Sequence, residues 1–291
     1  MTKKDFRNRI KKGAFILDGA TGSNLRNAGM PAGVCTELWV NEHPEILAEL
    51  QKDYVDAGSM AVYAPTFTAN RISLKNLGLE KELKRLNMEN VKISKDAVGD
   101  RALVAGNLTT TGQPLAPYGA MTYEKLLENY KEQIGYLCEA GVDYLAAETL
   151  LLLDEAMVIC DAAAEEAGNL PLTVSFTCET DGSLYFGGSV TDAAVVLQEM
   201  GADAVGVNCS VGPDQLSAIV KNLKGHLNIP VLVKPNAGIP VIDEKGQAHY
   251  NMSEAAFAGC MLDLKNAGAS VLGGCCGTTP AYIKKMCEFL Y

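Results

Sequence analysis

The chain has 291 residues, 48% of them hydrophobic and 21% charged, with 35 acidic against 25 basic side chains and a formal net charge of −10. This is the make-up of a globular protein able to bury a sizeable core. It is too acidic to follow nucleic-acid phosphates or settle on an anionic membrane, since both call for clustered Lys and Arg.

The first twelve residues are charged and amphipathic, with basic side chains but no apolar stretch of signal-peptide length. No later segment approaches the ~20 apolar residues that span a bilayer. A cytoplasmic protein is expected. Its nine cysteines, an odd number, then argue against a disulfide framework. Most of them stand singly, as small apolar residues of a packed interior do. Only three histidines are present, so any soft-metal site must use thiolates.

In chain order, short apolar and β-branched runs fall at residues 14–17, 60–63, 103–105, 144–147, 172–176, 204–207, 231–233 and 271–273. Stretches with helical spacing lie between them, such as Ile46, Leu47, Leu50 and Tyr54, and later residues 123–140. Runs that are apolar throughout, rather than alternating, are strands covered on both faces. Strand then helix, eight times, predicts an α/β fold: a single (β/α)8 TIM barrel, with residues 1–291 as one domain. An open doubly wound sheet has the same alternation, but eight units in series close more naturally than they stack. The phrases ending in Gly58, Gly141, Gly201 and Gly268 support the count. Each closes a helical stretch just before the second, fourth, sixth or eighth strand, where glycine takes the left-handed cap cheaply.

In such a barrel the loops after the strands carry function. The first strand is followed by Asp18-Gly19-Ala20-Thr21-Gly22-Ser23, the fourth by Glu148-Thr149 and the seventh by Lys234-Pro235-Asn236-Ala237-Gly238. Asp18 and Glu148 each close an apolar run. Each is either a cap of the following turn or one of two carboxylates that share the mouth and bind an ammonium group. The glycine-rich turn from Asp18 to Gly22 offers backbone N–H groups suited to a carboxylate. A phosphate loop is the weaker reading, because no lysine follows at the usual place.

The sharpest signal is a trio of thiols. Cys209 follows the sixth strand, and Cys275-Cys276 follow the eighth between Gly274 and Gly277. If those strands are neighbours, three thiolates converge on one zinc ion at the strands' C-terminal ends. The fourth coordination position then stays open to substrate, as in a catalytic site. The alternatives are a vicinal disulfide, a redox dithiol or buried thiols. An amino acid with a soft side chain would satisfy the thiols, the carboxylates and the amide turn together.

These segments resemble the homocysteine S-methyltransferase family. The carriers are Leu17-Asp18-Gly19-Ala20-Thr21-Gly22, Pro65-Thr66-Phe67-Thr68-Ala69-Asn70-Arg71, Ala147-Glu148-Thr149, Gly206-Val207-Asn208-Cys209-Ser210, Lys234 to Gly238, and Gly273 to Pro280. Within the family the chain is most like the homocysteine-binding module of cobalamin-dependent methionine synthases. The resemblance implies zinc held by Cys209, Cys275 and Cys276, with Asn236 or a water in the fourth position until substrate arrives. It implies that Asp18 and Glu148 bind the homocysteine amino group, and that amides of Gly19, Ala20 and Thr21 take its carboxylate. The zinc-bound thiolate then accepts a methyl group and methionine forms. No further catalytic side chain is called for.

The donor implied is methylcobalamin, or another methylcorrinoid on a separate protein and not bound by this chain alone. S-methylmethionine or betaine are the alternatives. The third loop carries Thr109-Thr110-Thr111 where such relatives carry Gly-Pro, a departure on the donor side. Two rivals keep the zinc: a non-catalytic barrel that docks a corrinoid protein, and an enzyme acting on another thiol or on a selenol.

Overall fold

Met60 N–H donates to Ile16 O at 2.7 Å, and Ser59 Oγ donates to Leu17 O at 3.2 Å. These two bonds bridge the edge strands of a parallel eight-stranded sheet and bring it round into a barrel. The computed structural model describes residues 1–243 and 248–291. Its strands are β1 (Phe15–Ile16), β2 (Ala61–Tyr63), β3 (Leu103–Leu108), β4 (Tyr144–Leu150), β5 (Leu172–Phe176), β6 (Ala204–Asn208) and β7 (Val231–Lys234). A two-stranded hairpin of β8 (Pro240–Ile242) and β9 (Ala248–Tyr250) comes next, and then β10 (Ala269–Leu272). The sheet order is β1-β10-β7-β6-β5-β4-β3-β2, all pairs parallel. Chain neighbours pair as sheet neighbours throughout, which a doubly wound sheet does not do.

The even-numbered turns behave as their glycines require. Gly58, Gly141, Gly201 and Gly268 have φ of 109°, 78°, 92° and 120° and follow directly on helix ends. Helix starts are set by side chains: Thr122, Ser189 and Ser253 each accept a hydrogen bond from the backbone three residues on.

Two apolar layers result. The larger lies between sheet and helices and includes Val62, Val104, Leu145, Val174, Val205 and Val233. The smaller fills the barrel and includes Phe15, Tyr63, Tyr144, Leu232 and Val271. The amphipathic start of the chain is helix Lys3–Ile10, which contributes Phe6 to this inner layer. The Phe6 ring packs 5.5 Å from that of Phe15 and 5.4 Å from that of Tyr144. One end of the barrel is thereby plugged, and the other is left for the site. No helix among the described residues is long and apolar enough to cross a membrane.

Three features depart from expectation. β3 and β4 each run three residues further, because Asn107, Leu108 and Leu150 still pair with neighbouring strands. Asn107 and Glu148 therefore lie within strands rather than after them. The hairpin is not expected from the sequence, because strands of only three residues, the first beginning at Pro240, carry too little alternation to read.

Candidate active site

A cavity of about 390 Å³ opens at the C-terminal ends of the strands. It is lined by Asp18, the turn Gly19 to Ser23, Tyr63, Asn107, Glu148, Thr149, Cys209, Lys234, Cys275 and Cys276. This volume suits a small ligand.

The three cysteines meet there. Their Sγ atoms lie within 4.8 Å of one another. The backbone makes this possible: Cys209 N–H bonds to Lys234 O at 3.1 Å, Cys275 N–H to Pro235 O at 2.8 Å, and Ala237 N–H to Cys276 O at 2.9 Å. The three loops thus extend the β6, β7 and β10 ladders beyond the strands. Cys209 has a φ of 49°, a left-handed conformation unusual for a residue with a side chain. Gly277 has a φ of 82°, and a Cβ there would fall 2.3 Å from the Tyr250 ring. Glycine is required at that place for two separate reasons. Tyr250, at the end of β9, thus packs against the residue that follows Cys276.

The electrostatics of the trio fit a divalent soft cation. Hydrogen bonds from Cys209 and Cys275 pull the Cys276 thiol down to about 3. The hydrogen bond to Cys276, burial and the charge of Cys276 push Cys209 up to about 12, against the pull of Cys275. Cys275 is raised well above the usual thiol range by its hydrogen bonds to Cys209 and Cys276 and by burial. Left to themselves the three hold one negative charge and two protons. A dication in their midst replaces both protons, and three sulfurs are a zinc-type donor set. Asn236 is 5% exposed, and its Oδ1 is buried without a hydrogen-bond partner. It sits on the loop that Cys275 and Cys276 bind. Its orphaned oxygen keeps an unused acceptor on that loop, although Asn236 is not among the residues that line the cavity.

Asp18 and Glu148 both reach the cavity, but a lysine stands between them. Lys234 Nζ is 3.3 Å from Asp18 Oδ1 and 3.5 Å from Glu148 Oε2. Burial pulls the Lys234 ammonium down, yet Glu148 and Asp18 outweigh it and hold it above the ordinary lysine range. Burial raises the Asp18 carboxyl against the opposing pull of Lys234 and of Tyr63 N–H. In the neighbouring turn, Ala20 N–H donates to Thr278 Oγ1 at 3.1 Å. A Cβ on Gly19 would come within 2.6 Å of Tyr54 Oη and 2.7 Å of Thr278 Oγ1, so only glycine fits.

The sequence assigns no role of their own to Lys234, Asn107 and Asn208, although each closes an apolar run. Asn107 Nδ2 donates to Glu148 Oε1 at 2.9 Å. Asn208 accepts from Thr149 N–H at 2.8 Å and from Ser175 Oγ at 2.9 Å, and donates to Thr149 Oγ1 at 2.7 Å. The available signal was a polar residue closing each of three apolar runs, at Asn107, Asn208 and Lys234.

Comparison with known proteins agrees with this geometry. Residues 15–290 match the family described as homocysteine S-methyltransferase. A methionine synthase of Mycobacterium tuberculosis is 30% identical over 295 residues, covering 95% of this chain and 24% of that protein. The chain thus spans about a quarter of the length of that relative. Homocysteine S-methyltransferase 4 of Zea mays is 27% identical, covering 94% of this chain and 88% of its own. The metallated form of the homocysteine methyltransferase MmuM from Escherichia coli superposes with a TM-score of 0.81 at 24% identity, over 97% of this chain and 98% of that one. That likeness establishes the TIM-barrel fold. With the family match running almost end to end, the chain belongs to the homocysteine S-methyltransferase family.

Proposed function

We propose that this chain methylates the thiol of homocysteine to give methionine, acting as one homocysteine-binding unit with zinc held by Cys209, Cys275 and Cys276. The observation that carries this reading is the convergence of three Sγ atoms within 4.8 Å in the cavity that also holds Asp18 and Glu148. Zinc, when bound there, supplies the positive charge that favours the thiolate over the thiol. Asn236 Oδ1 is the protein atom suited to the remaining position before substrate enters.

The chain's own residues orient the substrate. The α-ammonium faces the acidic cluster of Asp18 and Glu148, in which Lys234 is already seated. The α-carboxylate meets the turn at Gly19 and Thr21, since Ala20 N–H is spent on Thr278 and serves to hold the turn. In the transfer, the substrate sulfur's lone pair attacks the methyl carbon. The bond from that carbon to the donor breaks, its electron pair stays with the donor, and the thiol proton leaves to solvent. None of these events needs a histidine.

The donor in this reading is a methylcorrinoid carried by a separate protein, in keeping with the likeness to methionine synthases. A small donor such as S-methylmethionine or betaine is the second reading, favoured by the match to nearly the whole length of the maize protein. The nine free thiols suit a reducing compartment, hence the cytoplasm. The deciding experiment is a methyl-transfer assay with homocysteine against methylcobalamin, a methylated corrinoid protein, S-methylmethionine and betaine. Methionine from one donor supports the reading and names the donor. Homocysteine that neither binds nor reacts leaves only a docking barrel.

A further inference from the structure

Two carboxylates and an aromatic face make a socket for an alkylammonium ion, and here the socket is filled from within. Lys234 ends β7, and its Nζ lies 3.3 Å from Asp18 Oδ1, 3.5 Å from Glu148 Oε2 and 3.6 Å from the centroid of the Tyr63 ring. The side chain is 4% exposed. An ammonium desolvated to that degree is held by the ring face as well as by the ion pairs.

The two carboxylates are not equivalent. Asp18 is 1% exposed and has both oxygens engaged: Oδ2 accepts from Tyr63 N–H at 2.8 Å, and Oδ1 accepts from Lys234. Glu148 Oε1 accepts from Asn107, whereas Oε2 is buried without a hydrogen bond. An amine entering the cavity therefore meets Glu148 Oε2, a carboxylate oxygen with no hydrogen bond of its own, ion-paired to the tethered ammonium behind it. The formal charges agree, since two carboxylates and one lysine leave a single negative charge for one α-ammonium to balance.

We propose that Lys234 is a positioning residue that sets how deeply the substrate ammonium sits, and thereby measures the chain length between that ammonium and the thiol that must reach Cys209, Cys275 and Cys276. This rests on the homocysteine reading and adds a specificity determinant to it. Asp18 acts through Lys234, as the counter-ion that keeps Nζ in the socket. Removing Nζ empties the space between the carboxylates. The substrate ammonium then moves inward, the homocysteine thiol is drawn back from the cysteines, and a thiol amino acid one methylene longer spans the distance. A lysine needed only to hold the fold together would, when removed, weaken both ligands alike.

The test is binding calorimetry on zinc-loaded protein without a methyl donor, using homocysteine and 2-amino-5-mercaptopentanoate. The wild type prefers homocysteine. In Lys234→Met the ratio of the two dissociation constants shifts toward the longer thiol by at least about tenfold, the low end of what one methylene is worth in a shaped pocket. Lys234→Met leaves Asp18 as a buried unpaired charge, so the charge-neutral pair Asp18→Asn with Lys234→Met is measured beside it. An unchanged ratio in a folded variant overturns the proposal. Wild-type protein that binds neither thiol at millimolar concentration instead removes the homocysteine reading, and the proposal with it.

Discussion

Cys209 Sγ lies 3.5 Å from Cys276 Sγ, although 67 positions separate them in the chain. Two loops that meet only because β6 and β10 both flank β7 have brought them together. Replacing Cys209, Cys275 or Cys276 by alanine removes a sulfur from a three-sulfur set. Each substitution is expected to weaken zinc binding by more than about 100-fold, beyond what loss of an outer partner costs, and to abolish turnover with it. Metal analysis after gel filtration, paired with the methyl-transfer assay, checks this. Retained zinc and full activity in any one variant would refute the ligand set.

The protonation of the trio predicts a proton count. Near pH 7 the metal-free cluster keeps Cys209 protonated, its thiol being pushed up to about 12, and Cys275 likewise, while Cys276 at about 3 is already an anion. Loading with zinc therefore releases about two protons, and affinity rises with pH by about two log units per unit below the ordinary thiol range. Homocysteine, whose free thiol is protonated at that pH, releases about one more when it binds. Calorimetry in buffers of different ionisation enthalpy reads both numbers. No net release on zinc binding would show that the thiols are already charged.

How much of this was legible beforehand depended on whether neighbours in sequence or neighbours in space carry the signal. β5 is the apolar run Leu172–Phe176 itself, and Cys209, Cys275 and Cys276 stand out because adjacent thiols beside glycines have few other uses. Lys234 stood in one of the quoted loops but without a role. A lone lysine closing a strand reads as a solvated end, and only the barrel places it between Asp18 and Glu148. Tyr250 was hidden for a related reason. It lies 26 positions before Cys276, on a hairpin whose strands are too short to betray a period, and only folding sets it against Gly277.

The loop after β3 is tied down by a buried carboxylate. Glu155, 3% exposed, accepts from Thr111 N–H at 2.8 Å, from Thr111 Oγ1 at 2.7 Å and from Tyr130 Oη at 2.7 Å, and also from Thr110 Oγ1. Glu155→Ala strands the Thr110 and Thr111 donors, while Tyr130 Oη keeps Thr109 O, at roughly 1–3 kcal/mol for each one left buried. The thermal midpoint is expected to fall. If the loop faces the donor, the donor's KM rises severalfold while homocysteine affinity changes little. Equal loss of both would place the loop's role in the barrel as a whole.

Thr149 and Cys209 are the two described non-glycine residues with positive φ, at 61° and 49°, and the Asn208 side chain holds the first of them. Asn208 immediately precedes Cys209, and its amide makes two hydrogen bonds to Thr149, next to Glu148. Left-handed geometry at a β-branched residue costs about 1–3 kcal/mol and persists only where neighbours enforce it. Asn208→Ala removes that enforcement. Thr149 is then expected to relax, Glu148 to shift with it, and homocysteine affinity to fall by about tenfold or more, equivalent to ~1.4 kcal/mol. Adding Thr149→Gly supplies a residue that takes positive φ without strain. Because glycine restores the backbone without restoring the hydrogen bonds, partial recovery of affinity in the double variant would identify the conformation of residue 149, rather than the amide network, as what holds Glu148 in place. No recovery would reverse that assignment.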